Sequence, residues 1–158
     1  MTLEKKRAFT RRIAQANKTQ IITILYEMAM EYLDAACDAF ETDNMADFDI
    51  EVNRAQEVIN ELIRSLHLEY DLAQQFLQLY LFAKRELIMA ITRHSVVPVE
   101  YVSHMMRRLH EAYLELEQKD HTPAQMRDTE MVFAGLTYGR DSLNESVALS
   151  GASRGFTA

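Results

Sequence analysis

Apolar residues recur along this chain at helical spacing, and in two stretches they leave hardly any polar face. From Gln20 to Phe40, read at 3.6 residues per turn, the polar side chains Thr23, Glu27, Glu31, Asp34 and Asp38 fall on one narrow stripe, and the other positions are mostly apolar or small. Such a helix needs several neighbours, so this stretch is predicted to be the centre of a bundle. Asn17 or Thr19 serves as its N-cap, and it ends near Thr42 or Asp43. Asp47 or Asp49 opens a second helix with a seam at Phe48, Val52, Ala55, Ile59, Leu62 and Leu66, followed by a break over His67 to Asp71. The third helix, Leu72 to Thr92, has a seam of Leu72, Phe76, Leu79, Ala83, Leu87 and Ala90. It also carries Leu77, Tyr80, Leu81, Phe82, Ile88 and Met89 off that seam, which makes it apolar nearly all round. Pro98 suits the first turn of a fourth helix, whose apolar line Val102, Met105, Leu109, Ala112 and Leu116 continues to about Glu117. Four long helices joined by short connections predict an all-α protein, an antiparallel four-helix bundle.

The expected organisation is a basic N-terminal segment (1–17), a bundle domain (18–118) and a largely irregular C-terminal tail (119–158), extended or disordered, with one apolar island at Met131 to Leu136. All four glycines lie in the last quarter of the 158 residues, which leaves the body free for helices. A content of 48% apolar and 26% charged residues fits one soluble globular domain. No apolar run approaches the roughly 18 residues of a membrane span, and the expected location is the cytosol. The single cysteine, Cys37, is expected to be buried.

The net charge of −7 conceals an asymmetry. Residues 1–18 carry six basic side chains against Glu4 alone, so the remainder carries −12. The two parts should attract, with the segment folding back on the bundle through Leu3, Phe9 and Ile13. A basic arm for nucleic acid, an organelle transit peptide and a membrane-surface helix are the alternatives that this composition keeps open.

Chemistry finds little support. A carboxylate-bridged metal site in a bundle needs Glu with His three residues later, and none of the five histidines has Glu at that position. No glycine loop precedes a helix to cradle phosphate, and no nucleophile elbow stands out. Neither an enzyme nor a cofactor is expected.

Three blocks in order along the chain resemble the flagellar export chaperone family FliS. Ile21-Ile22-Thr23-Ile24-Leu25-Tyr26-Glu27-Met28-Ala29 is similar to the family's apolar run ending in Leu-Tyr-Asp-Gly-Ala. Arg54-Ala55-Gln56-Glu57-Val58-Ile59-Asn60-Glu61-Leu62 resembles its Arg-Ala-x-x-Ile-Ile-x-Glu-Leu block, and Leu77-Gln78-Leu79-Tyr80 its Leu-x-x-Leu-Tyr segment. There are departures: Phe76 stands where that segment has its first Leu, Met28 replaces a Gly, and Tyr113 lies near a position where many members have Trp.

The resemblance implies a cytosolic chaperone that binds the C-terminal segment of flagellin, disordered when free, as helices laid in an apolar groove, masking it until secretion. The contacts expected on that basis are Ile22, Leu25, Met28, Ile59, Leu62, Leu77, Tyr80 and Leu81, in a monomer or weak homodimer; some members of the family also bind other flagellar factors, and the sequence leaves that open for this chain. The readings from other classes are a bundle that binds nucleic acid or membrane surfaces through its basic arm, and a self-associating structural bundle.

Overall fold

The computed structural model describes residues 1–119, without the side chain of Leu116; the tail beyond Lys119, with Met131 to Leu136, lies outside the described residues. Among the described residues five helices follow one another: α1 (Leu3–Ala14), α2 (Lys18–Glu41), α3 (Met45–Arg64), α4 (Asp71–Arg93) and α5 (Val97–Lys119). Among the described residues there is no strand. Contacts run α2 to α3, α3 to α4, α4 to α5 and α5 back to α2, which makes a closed ring, and α1 lies outside it against α2. Successive helices run antiparallel. Arg107 of α5 pairs with Asp34 while His110 reaches back to Glu27, and Lys5 of α1 pairs with Glu31 while Arg12 reaches Glu27.

The helix ends show why so few glycines suffice. Asn17 caps α2 in a reciprocal capping box with Gln20, both bonds 2.9 Å long. Thr2 and Asn44 cap α1 and α3 by accepting from the amides of Lys5 and Asp47. The second bundle helix therefore begins at Met45, ahead of the aspartates expected to open it, because Asn44 offers the better-placed side-chain oxygen. The chain reverses after α2 and α4 through left-handed residues that are not glycine, Asp43 (φ 56°) and His94 (φ 46°). Each closes a Schellman turn: Asn44 N–H reaches Ala39 C=O at 2.8 Å, and Ser95 N–H reaches Ala90 C=O at 3.0 Å.

The α3 seam is buried as its spacing predicts, with only Leu66 half-exposed. In α4 the buried line is Ala73, Tyr80, Ala83, Leu87 and Ala90 with Phe76 beside it, so Leu72 (62% exposed) and Leu79 leave the expected seam. The correction has a physical cause: the observed line keeps strict alternating steps of three and four and lets the Tyr80 hydroxyl find a partner inside the core. In α5 the buried residues are Val99, Val102, Ser103 and Met106; Met105 and Leu109 pack at the margin, and Ala112 is exposed.

The basic segment folds back as helix α1. Phe9 and Ile13 are buried, whereas Leu3 stays exposed and is no anchor. The polar stripe of α2 is correspondingly less open than its composition suggests: α1 and α5 cover part of it, Thr23 is buried with its hydroxyl donating to Thr19 C=O at 3.2 Å, and Asp34 and Asp38 remain exposed. Cys37 is half-buried rather than fully enclosed.

Candidate functional site

The eight residues expected to meet a partner divide by exposure. Leu25, Met28, Ile59, Leu62 and Tyr80 are buried in the core, Ile22 and Leu77 are half-buried, and Leu81 is 39% exposed. The helix contacts explain the division. Helix α2 is flanked by α1, α3 and α5, so most of its apolar circumference is consumed inside the protein. Helix α4 packs chiefly on α3 and α5, and its surplus apolar side chains are left uncovered.

At about 100° per residue, Leu77, Leu81 and Ile88 form one stripe along α4. Lys84 shares it and faces α3, where its Nζ donates to Asn60 Oδ1 at 2.6 Å. Ile88 is 53% exposed. The other flank of α4 carries Leu79 and Phe82 and faces α5, where the Phe82 ring meets Tyr101 edge-on at 5.7 Å between centroids. Tyr101, itself 58% exposed, joins Met105, Leu109, His104 and Arg108 around a shallow hollow of 360 Å³ on α5. Large apolar side chains thus line both flanks of α4. Ile88 and Tyr101 were not among the residues expected to make contact. Ile88 was visible as an apolar position off the seam, whereas nothing in the pattern of α5 singles out Tyr101.

Inside the bundle, Tyr26 and Tyr80 hydrogen-bond through their hydroxyls, and Tyr113 and Phe76 close the cluster with centroid separations of 5.3 Å (Tyr26 to Tyr113) and 5.8 Å (Phe76 to Tyr113). Burial pushes the hydroxyls of Tyr26, Tyr80 and Tyr113 above the ordinary tyrosine range. Phe76 and Tyr113, two of the departures from the family pattern, touch each other.

Glu27 is the polar junction of three helices. Arg12 of α1 grips its carboxylate through both guanidinium nitrogens, and His110 Nε2 of α5 lies 3.3 Å from Oε1. Burial opposes ionisation of Glu27, but the hydrogen bonds and charges of Arg12 and His110 outweigh it and hold the carboxyl below its usual range. At the Cys37 thiol, burial together with the carboxylates of Glu100, Asp34, Asp38 and Glu41 pushes the pKa up to about 11. A raised pKa does not favour the thiolate, so nothing here activates a nucleophile.

Among the described residues no three His, Cys, Asp or Glu side chains gather to hold a metal ion, and no helix is long and apolar enough to cross a membrane. What the arrangement does show is large apolar side chains left uncovered along α4 and at Tyr101.

The family model described as Flagellar protein FliS matches residues 3–120, which takes in α1 as well as the four bundle helices. No curated protein matches the chain.

Proposed function

The chain belongs to the FliS family of flagellar proteins, a family of chaperones and not of enzymes, and on that premise we propose that it is a cytosolic export chaperone for flagellin. In this reading the disordered C-terminal segment of flagellin folds into helices against the bundle, which hides its filament-forming surface before secretion.

The observation that carries the proposal is the uncovered apolar stripe of α4, with Leu77, Leu81 and Ile88 at helical spacing and Leu72 exposed at the helix start. An amphipathic client helix buries such a stripe by helix-in-groove docking, at about 25 cal/mol per Å² of apolar surface less the cost of ordering the client. Of the eight expected contacts, Leu77 and Leu81 lie on this stripe, and Ile22 is half-buried on α2. The other five are buried in the core. Leu25, Ile59, Leu62 and Tyr80 set how α2, α3 and α4 pack together, and Met28 belongs to the same core cluster.

Calorimetric titration of the full chain with the C-terminal segment of flagellin from the same organism, followed by circular dichroism, tests the reading. Submicromolar one-to-one binding, a negative heat-capacity change and a gain in helix are expected. A folded chain that shows no heat of binding at any temperature tried, and no gain in helix, would overturn it.

A further inference from the structure

From Thr19 to Asn53 the chain carries nine carboxylates and no Lys, Arg or His. Much of that charge lies on the outer face of α2 and the start of α3, and half of this face is already occupied. The basic helix α1 lies on it with Phe9 and Ile13 buried, Arg12 on Glu27 and Lys5 on Glu31. Helix α1 has 12 residues and α2 has 24, so at 1.5 Å per residue α1 can cover only about half of its length.

Where α1 stops, the face continues. The Met1 amino nitrogen lies 3.3 Å from Glu51 Oε2, and from there a groove of 460 Å³ runs between the C-terminal half of α2 and the N-terminal half of α3. Ala35 and Asp38 extend the stripe of Glu27 and Glu31 in helical steps, while Ala35 and Ala39 are small enough to let a helix backbone come close. Asp38 and Asp47 border the groove, and Ile50, 45% exposed, stands at its rim. Glu51 is engaged by Arg54 at 2.9 Å, but Asp38 has no basic partner among the described residues.

We propose that this groove docks a basic amphipathic helix of a partner protein, laid end to end with α1 and held by the same chemistry. Lysine or arginine of the partner meets Asp38 and Asp47, and an apolar side chain covers Ile50. Continuity with the α1 interface and complementary charge identify the class of partner. The site lies on α2 and α3 away from the α4 stripe, so it does not depend on the flagellin reading.

The probe is a fluorescent peptide with the sequence of residues 1–17 of this chain, added in trans to the full chain and followed by anisotropy at low and high salt. Saturable one-to-one binding is expected, weakened by salt and by about tenfold in Asp38→Arg. Ile50→Lys should weaken it too, while Asp38→Glu and Leu81→Glu should leave it intact. All three positions are solvent-exposed, and circular dichroism checks that each variant is folded. Three outcomes would overturn the proposal: no saturable binding at millimolar peptide, binding indifferent to Asp38 and Ile50, and binding lost only in Glu27→Gln, which would mean exchange with the resident α1. A chain that dimerises alone and becomes monomeric in Asp38→Arg would give the groove to a second copy and equally overturn it.

Discussion

The hydroxyl groups of Tyr26 and Tyr80 hydrogen-bond to each other at the centre of the bundle, joining α2 and α4, which face each other diagonally across the ring of helices. Both tyrosines end Leu-Tyr pairs, Leu25-Tyr26 and Leu79-Tyr80, that carry the family resemblance. The two blocks are therefore halves of one contact.

Removing one hydroxyl leaves the other buried without a partner, which is costlier than removing both. Tyr26→Phe should lose about 1–3 kcal/mol of stability. In Tyr26→Phe/Tyr80→Phe the loss should be smaller than the sum of the two single losses. Urea denaturation of the four proteins completes the cycle, and additive losses would show that the bond contributes nothing.

The same cluster sets the response to alkali. Burial raises the ionisation of Tyr26 and Tyr80 above the ordinary 10.0. A group whose folded pKa is raised contributes stability in full below its unfolded pKa and loses it as pH rises, because above pH 10 only the unfolded chain releases the proton. Stability should hold to about pH 10 and then fall by about 1.4 kcal/mol per pH unit for each of the two. Tyrosinate absorbance should rise together with loss of helix, and the double phenylalanine variant should show a shallower decline.

The helices were legible in the sequence because their apolar spacing is regular, and the α3 seam from Phe48 to Leu62 needed no correction. The misplaced seam of α4 has a clear origin. With apolar residues on nearly every side, Leu72-Phe76-Leu79 and Ala73-Phe76-Tyr80 are both apolar lines at helical spacing, and the hydroxyl partner that decides for the second lies on another helix. The expected contact residues were placed by their motifs, and motif residues such as Leu25 and Tyr80 are motifs because they pack. Exposure depends on which helices have neighbours on both sides, and that is settled by α1 docking on α2 instead of α4. The charge asymmetry did foretell the docking; it did not tell which acidic side chains would receive Arg12 and Lys5.

Acid should release α1 before it unfolds the bundle. Glu27 is held below its ordinary 4.5 mainly by Arg12, with His110 adding to it, so its contribution is present above pH 4.5 and lost as pH falls through the lower folded value. The pair is partly exposed, so its loss is worth about 1 kcal/mol, enough to loosen a contact that rests on Phe9 and Ile13, one turn apart. The protection of α1 amides, measured against the intrinsic exchange rate at the same pH, should fall below pH 4.5 while α2 to α5 stay protected. Arg12→Ala should show the same loss of protection at neutral pH.

Cys37 should be a slow thiol. With its pKa pushed up to about 11 against an ordinary 9.0, its thiolate fraction at neutral pH is about a hundredfold lower than that of a free cysteine. Alkylation by iodoacetamide should be correspondingly slow in the folded chain, should quicken with pH up to about 11, and should reach the rate of a small thiol in urea. A fast reaction in the native state would mean that α2 opens locally around Cys37.

Stability and client binding should separate along the division between buried and exposed apolar residues. Leu25 has no exposed surface, and Leu25→Ala should cost about 2–5 kcal/mol through the lost side chain and the cavity it leaves. Leu81 and Ile88 already face solvent, so Leu81→Ser and Ile88→Ser should change stability by less than about 0.5 kcal/mol. If the α4 stripe receives the flagellin segment, these two mild substitutions should each weaken binding by about tenfold, because each removes an apolar contact of the complex and almost none of the free bundle. Leu25→Ala, assayed where it is still folded, should bind with an affinity closer to that of the unsubstituted chain. The reverse pattern, with binding sensitive to Leu25 and indifferent to Leu81 and Ile88, would mean that the client enters between the helices instead of lying on α4, and that the bundle opens to admit it.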